Sequence, residues 1–267
     1  MLELLSLPTV VRAMIAGGVI GVICSMMGVF VVLRGLAFIS AGISHSAFAG
    51  VALGLLLGVS PFGTALIFCA LISILIGKVS NLGRVKEDTS IGVFLAASMA
   101  LGVMIMGFVT DAKVDIVGYL FGSILTLSQD DVVVSLSIGL VILAVVVLIK
   151  KELMLASFDP EQATLAGIPA KNLTYFLLIL LSTTTVVSIK VVGIILGTAL
   201  ITAPAATALQ FSRDFDKAIL LAAIIGLVVT EVGIIGALYF DTAPGATIAL
   251  VATGVFFISL IKRKRFA

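Results

Sequence analysis

The chain has 267 residues, of which 61% are hydrophobic and 11% charged, and its formal net charge is +2. Soluble domains are about 45–50% apolar and about 25% charged, so this composition excludes a soluble domain and indicates a polytopic membrane protein. The small net charge gives no indication of nucleic-acid binding. Cys24 and Cys69 lie in apolar runs without metal-binding spacing, and we expect both to be buried thiols.

Nine apolar runs approach the length of about 20 residues that a helix needs to cross a bilayer. They cover residues 10–33, 37–58, 61–80, 90–110, 130–149, 172–190, 192–211, 215–239 and 244–261. Isolated strands cannot satisfy their backbone in lipid, so the runs predict an all-α fold of eight or nine transmembrane helices in one domain, residues 1–267. Eight helices would require one run to be re-entrant or merged.

Positive charge is distributed unevenly between the two sides of this predicted bundle. Cytoplasmic loops carry the excess of Lys and Arg, so the more basic side, which includes the C-terminus, is predicted to be cytoplasmic. The basic residues on this side are Arg34, Lys78, Arg84, Lys86, Lys150, Lys151, Lys171, Arg213, Lys217, Lys262, Arg263, Lys264 and Arg265. The other side receives Arg12, Lys113, Lys190, Asp111, Asp115, Asp130, Asp131 and Asp241.

The longest predicted cytoplasmic loop contains a short helix within the segment DPEQATLAGIP. Asp159 is a good N-cap, Pro160 suits the first helical position, and Glu161 interacts favourably with the positive end of the helix dipole. Gly167 can adopt the left-handed conformation that ends a helix. Because so short a helix is not stable alone, it either lies on the membrane surface or fits a groove on a cytoplasmic partner.

Two ionisable residues are predicted deep within membrane spans. His45, the only histidine, lies about 16 Å along a helix from Arg34, and Glu231 lies in the run at 215–239. Ionisable residues at membrane depth are functional candidates, and imidazole and carboxylate are ligands for Zn²⁺, Mn²⁺ and Fe²⁺. Either side chain alone could instead make a structural hydrogen bond, but their similar depth favours a shared pathway.

The run at 192–211 contains hydroxyl groups and a proline. Thr198 and Thr202 share a helix face, although hydroxyls in lipid usually bond to their own helix. Pro204 lacks an amide hydrogen and therefore leaves the carbonyl of Leu200 without its helical donor. Interrupted helices at membrane depth are tolerated where they are buried in protein or line a cavity, so this run is consistent with a translocation path.

Four segments together carry a resemblance to a known family. The segment from Gly28 to Gly54 contains a histidine that follows VLR and precedes a glycine–alanine run. FDPEQATLAGIP, GTALITAPAATA and DTAPGATIAL follow it in order. Over nearly its whole length the chain resembles the permease subunits of bacterial ABC importers for divalent metals, the group that takes up zinc, manganese and iron.

The resemblance implies a homodimeric, multi-pass channel in the bacterial cytoplasmic (inner) membrane. Two ATP-binding subunits would grip the short cytoplasmic helix, and an extracytoplasmic metal-binding protein would deliver the ion. The permease would not be an enzyme and would hold no permanent cofactor, because ATP binds to the partner and the metal is cargo. The residues implied to couple the permease to the ATPase are Asp159, Pro160, Glu161, Gln162 and Gly167.

The chain departs from the family pattern at one position. Members of the family commonly carry an aspartate four residues before the histidine, where this chain has Ala41. The remaining candidate ligands are His45, Glu231, water, and Ser44 or backbone carbonyls, which favours zinc over manganese because carboxylates suit manganese. Further residues predicted to line the pathway are Ser44, Thr198, Thr202 and Pro204.

Two other functions were weighed against the importer. A proton-driven secondary transporter could use Glu231 as its proton site, but such folds often contain internal repeats and none is evident here. An intramembrane protease could use Ser44 with His45. Adjacent residues point about 100° apart on a helix, so Ser44 is poorly placed for activation by its neighbour.

Overall fold

The computed structural model describes residues 7–81, 86–109 and 128–266. Eleven α-helices account for the regular structure of these residues. They are α1 (Pro8–Leu33), α2 (Ala37–Leu57), α3 (Pro61–Asn81), α4 (Glu87–Met106), α5 (Gln129–Leu148), α6 (Lys150–Phe158), α7 (Pro160–Leu165), α8 (Ala170–Val192), α9 (Ile194–Phe211), α10 (Phe215–Phe240) and α11 (Pro244–Phe266). The predicted all-α class is confirmed.

Eight of the described helices are long and apolar enough to cross a membrane. The predicted run at 192–211 instead forms the shorter apolar helix α9, which begins directly after α8. Gly193 separates the two helices with a φ of 92°, a left-handed value that glycine adopts without a steric penalty. The described part of the chain therefore matches the lower of the two predicted helix numbers.

The described residues form two compact units. The first unit contains residues 7–32, 128–144 and 187–266, and the second contains residues 33–81, 86–109 and 145–186. In the first unit α9, α10 and α11 pack against one another, and in the second α2 packs against α3 and α4. The second unit also contains α6 and the short helix α7, which contact each other.

A glycine-rich face of α1 lets the backbones of neighbouring helices approach closely in the first unit. A Cβ atom on Gly21 would lie 2.8 Å from the carbonyl oxygen of Gly226 in α10. A Cβ atom on Gly28 would collide with the carbonyl oxygen of Ile201 in α9. Small residues at such contacts are typical of helix packing in lipid, where close van der Waals contact replaces the hydrophobic effect.

Gly28→Ala is therefore expected to destabilise the protein by about 1–3 kcal/mol, because the new methyl group meets backbone that cannot move aside as a side chain can. The measurement is the thermal unfolding midpoint in detergent. Gly254→Ala in α11 is the matched control, since no atom lies within 4 Å of its new Cβ. An unfolding midpoint that falls equally in both variants would contradict the α1–α9 contact as the cause.

The carbonyl that Pro204 deprives of its helical donor has a partner in the first unit. Ser25 Oγ donates a hydrogen bond to Leu200 O at 3.2 Å, and both residues are buried. The sequence predicted the unpaired carbonyl but not its donor, which lies on α1. The bond satisfies a polar group that would otherwise be costly at membrane depth.

Among the described residues, two charged side chains that the sequence assigns to the same side of the bundle are in direct contact. Lys190 Nζ lies 2.7 Å from Asp131 Oδ1, so two residues predicted on the non-cytoplasmic side form an ion pair. Arg84, Lys113, Asp111 and Asp115 lie outside the described residues. The two cysteines, at positions 24 and 69, are buried and free, which confirms the expectation for both thiols.

Candidate functional site

His45 lies on a narrow accessible strip in the otherwise buried middle of α2. Between residues 39 and 52 of α2, every residue is buried except Ala41 and His45, which are half-buried. A spacing of four residues places both side chains on one face of the helix, one turn apart. His45 and position 41, where the resemblance implies an aspartate, therefore share the one accessible face of this stretch.

The imidazole of His45 contains a buried nitrogen, Nδ1, for which the described residues supply no partner. Within the described residues, neither Nδ1 of His45 nor Oγ of the buried Ser44 has a hydrogen-bond partner. Ser46, by contrast, lies 2.8 Å from the carbonyl oxygen of Gly42 and 3.0 Å from Ser98 Oγ. A packing histidine would bond a neighbouring carbonyl, so the described contacts of Nδ1 do not support that interpretation, and a free ring nitrogen suits metal binding.

Glu231 lies in α10 beside a cavity of about 500 Å³ in the first unit. The other lining residues are apolar: Met14, Ile15, Gly18, Val19, Val22, Ile23, Leu140, Leu143 and Leu227. A Cβ atom on Gly18 would lie 2.7 Å from Glu231 Oε1, so the absence of a side chain there makes room for the carboxyl group. In the part of the chain that the structure describes, Glu231 Oε2 has no hydrogen-bond partner.

His45 and Glu231 are separate features of the two units. His45 belongs to the second unit and Glu231 to the first. Among the described residues, no group of three or more His, Cys, Asp and Glu side chains is placed to hold a metal ion. Each residue is thus a single candidate ligand within its unit, and their joint contact with an ion stays a prediction.

One of the hydroxyl groups proposed for the pathway, that of Thr202, is bonded within its helix. Thr202 Oγ1 donates to the carbonyl oxygen of Thr198 at 2.9 Å. The hydroxyls of residues 182–185 in α8 also donate to carbonyls three or four residues earlier. These bonds agree with the structural interpretation of the hydroxyls, and a pathway role for Ser44, Thr198, Thr202 and Pro204 stays a prediction.

The short helix α7 has the end structure that its sequence predicts. The Asp159 side chain accepts a hydrogen bond from the Gln162 amide at 2.9 Å, and Pro160 occupies the first turn. Gly167 has a φ of 80° and donates to Thr164 O at 3.0 Å, while the Ile168 amide donates to Ala163 O at 2.9 Å. The two bonds form a Schellman motif, so both ends of the helix are fixed by local contacts.

One face of α7 is anchored and another is open. Ala163 is fully buried and packs with Ala156 of α6 and Ala170 of α8. Leu165, in contrast, is 88% exposed. A large exposed apolar side chain on a doubly capped helix is a suitable contact for a partner protein, and the role of the helix in coupling stays a prediction.

Arg34 is a residue whose role sequence reasoning missed. In the sequence, Arg34 is only one of the basic residues that orient the bundle. In the second unit, however, its guanidinium group contacts the segment that leads into α7. The sequence held one signal. Pro160 ends the preceding helix, so the carbonyls of its last turn lack helical donors, and Arg34 donates to one of them, that of Ala156.

Comparisons with known proteins identify the family of the chain. The model of the ABC 3 transport family matches residues 6–263 of the chain. The chain is 37% identical over 254 residues to the manganese transport system membrane protein MntC of Halalkalibacterium halodurans. The matched region covers 95% of this chain and 87% of that protein. It is 32% identical to the high-affinity zinc uptake system membrane protein ZnuB of Haemophilus influenzae, with 95% and 97% covered.

A solved structure shares the fold. A chain of PsaBC from Streptococcus pneumoniae in complex with Fab has a TM-score of 0.87 and 31% sequence identity, and the match covers 96% of this chain and 92% of that chain. Nearly the whole chain is matched by the family model, by the relatives and by this structure. The chain therefore belongs to the ABC 3 transport family, the family of ABC importer permeases whose signatures its sequence carries, and it is a membrane permease subunit rather than an enzyme.

Proposed function

We propose that this permease forms the membrane pathway of an ATP-driven importer for a divalent transition metal, with zinc preferred to manganese or iron. The observation that carries the proposal is the partly accessible face of α2 that contains Ala41 and His45, together with a buried ring nitrogen of His45 that has no partner among the described residues. A neutral imidazole suits zinc, manganese and iron. Of the two relatives described above, MntC is named for manganese transport and ZnuB for zinc uptake.

The preference for zinc depends on Ala41. Position 41 shares the accessible face with His45, but its methyl group offers no oxygen ligand. Manganese prefers carboxylate and carbonyl oxygen, whereas zinc is well served by imidazole. A strip with the histidine and without the carboxylate therefore favours the softer ion, although some similar permeases are named for manganese transport.

Glu231 supplies the negative charge in this proposal. It lies near the middle of its own span, and its cavity contains no other polar lining residue. A site of one imidazole and one carboxylate on different helices holds the metal ion with few ligands. Such weak binding suits transport, because the ion must be able to leave each site that it enters. ATP-driven rearrangement of the permease would bring the pair together or separate it.

The assembly follows from the permease role. An ABC permease works with ATP-binding subunits and an extracytoplasmic binding protein. The proposed stoichiometry is two permease copies and two ATP-binding subunits, since one chain supplies too few ligands for a closed site and two-fold symmetry is the commonest closed arrangement. The proposed orientation has α7 and the C-terminus in the cytoplasm, as the distribution of basic residues predicts.

The test is metal uptake by the purified complex in proteoliposomes, with the binding protein outside and zinc, manganese and ferrous iron in competition. We expect ATP-dependent uptake in which zinc competes best. Ala41→Asp is expected to shift the preference towards manganese, because it restores a carboxylate one turn from His45.

Two outcomes of this assay would count against the proposal. Uptake that continues without the ATP-binding subunits and stops when a proton gradient is abolished would favour a proton-driven transporter. A wild-type preference for manganese that Ala41→Asp leaves unchanged would refute the assignment of zinc and the role of position 41 while retaining the importer.

A further inference from the structure

Arg34 connects three points of the second unit through its guanidinium group. Its Nη2 donates to the carbonyl oxygen of Ala156 at 2.8 Å and its Nε to Ser157 Oγ at 3.0 Å. Its Nη1 donates to Thr174 Oγ1 at 3.1 Å. One side chain, directly after α1, thus holds the end of α6 and the first turns of α8, the two helices on either side of α7.

The Ala156 carbonyl is free because α6 ends two residues after it. Asp159 leaves helical geometry, with φ −146° and ψ 89°, so no amide continues the bonding pattern of α6 to Ala156, and Pro160 has no amide hydrogen in any case. This carbonyl lies in the last turn of α6, where acceptors have no helical partner and the helix dipole favours a cation. The positive guanidinium of Arg34 satisfies both conditions.

The two hydroxyl partners are oriented to accept from Arg34. Ser157 Oγ donates to the Leu153 carbonyl and Thr174 Oγ1 donates to the Ala170 carbonyl at 3.0 Å. Each hydroxyl has one hydrogen and two lone pairs, so its hydrogen is used within its own helix and its lone pairs face the arginine. Arginine only donates, and the three acceptors therefore match its three donating nitrogens.

A cavity of about 860 Å³ lies on the same side as these bonds. Arg34, Glu87, Pro160 and Thr164 are among the residues that line it, so part of α7 borders open space rather than packed side chains. Burial lowers the pKa of Arg34 and the charge of Glu87 raises it, and guanidinium remains charged in proteins. Packing around Ala163 holds α7 directly, and the Arg34 bonds hold the end of α6 and the first turns of α8 beside it.

We propose that Arg34 is the positioning residue that makes α7 move as one body with the start of the second membrane helix, so that motion of α7 reaches the helix bearing His45. The proposal rests on the proposed function of α7 as the coupling helix. Arg34 itself touches neither metal nor ATP. Its role is to keep α6, α7 and α8 in a fixed arrangement at the junction of α1 and α2.

The experiment measures metal transported and ATP hydrolysed in the same proteoliposomes of the full complex. Arg34→Met keeps much of the length and loses all three donors. We expect its ATP-binding subunits to remain bound and to hydrolyse ATP, while the metal moved per ATP falls about fivefold or more, the lower end of typical coupling between sites. The metal moved per ATP by Arg34→Lys is expected to lie between the values for the wild type and for Arg34→Met, because one ammonium cannot reproduce the planar arrangement of donors.

The ratio of metal to ATP separates positioning from stability. A merely structural role would lower the yield of folded complex and leave this ratio unchanged in the surviving complex, and that result would overturn the proposal. If Arg34→Met does not fold, Thr174→Val with Ser157→Ala serves instead, since it keeps the arginine and removes two acceptors. An unchanged ratio in this pair would also overturn the proposal.

Two controls distinguish this proposal from the proposed function. Lys78→Met removes an exposed positive charge near the end of α3 and is expected to keep the wild-type ratio. A wild-type complex that hydrolyses ATP without moving metal would refute the proposed function itself. A coupled wild-type complex with an equally coupled Arg34→Met complex refutes only the role of Arg34.

Discussion

His45→Ala is expected to lower ATP-driven metal uptake at least about tenfold, since even the loss of an outer partner of a metal ligand costs about 10–100-fold in affinity. The helix should remain packed, because His45 is half-buried on a face whose neighbour one turn away is already alanine. The measurement is the initial rate of zinc uptake against zinc concentration in proteoliposomes.

The matched control is Ser40→Ala on the same helix. Ser40 is buried, and its hydroxyl donates only a local bond to the Ala37 carbonyl at 2.9 Å, so its loss should change uptake little. A His45→Ala complex with the wild-type rate and the wild-type KM for zinc would remove His45 from the pathway.

Glu231→Gln separates the two proposed ligands. The amide keeps the shape that fits beside Gly18 and removes the charge that attracts a divalent cation. Uptake should fall as it does for His45→Ala, with the unfolding midpoint nearly unchanged. Loss of uptake in His45→Ala alone would retain the histidine as a ligand and exclude a joint role for Glu231.

Local signals made the short helix α7 predictable from the sequence. Asp159, Pro160 and Gly167 lie within nine positions of one another, and each acts on backbone groups only a few residues away. The prediction required no knowledge of distant helices. The same reasoning gave the unpaired carbonyl of Leu200, because proline affects the residue four positions earlier.

Distant donors were beyond sequence reasoning. Leu200 receives its hydrogen bond from Ser25, 175 positions away, and Ala156 receives one from Arg34, 122 positions away. Pro204 leaves the Leu200 carbonyl free and the end of α6 leaves that of Ala156 free, but only tertiary packing decides which side chain reaches either acceptor. Both donors come from α1 or the residue after it, which follows from the position of this helix and not from its composition.

The candidate site divides in the same way. The depth of His45 and its four-residue spacing from Ala41 could be derived from helical periodicity, and the structure adds that these two positions are the accessible ones of the stretch. The surroundings of Glu231 could not be derived. Its cavity is lined from α1, α5 and α10, whose side chains meet only through packing.

Gly167→Pro is expected to abolish ATP-driven uptake while the membrane helices remain folded. Gly167 has a φ of 80°, whereas proline fixes φ near about −65°. The substitution also removes the amide that donates to Thr164 O and displaces the Ile168 amide from Ala163 O. The Schellman motif is lost, α7 is released from its position, and the exposed Leu165 no longer meets a partner in a fixed geometry. Uptake and co-purification of the ATP-binding subunits are measured together.

Gly167→Asn is the matched control, because asparagine is the residue other than glycine that most readily ends helices in the left-handed conformation. It keeps the amide donor and should retain most uptake, so the pair of variants tests backbone conformation and not simply the loss of glycine. A Gly167→Pro permease that inserts correctly, binds its ATP-binding subunits and imports at the wild-type rate would show that α7 lies passively at the membrane surface. Equal loss of uptake in both variants would show that position 167 tolerates no side chain, whatever the backbone conformation. Loss of uptake in the proline variant alone is the result expected if the capped geometry of α7 transmits the work of ATP hydrolysis.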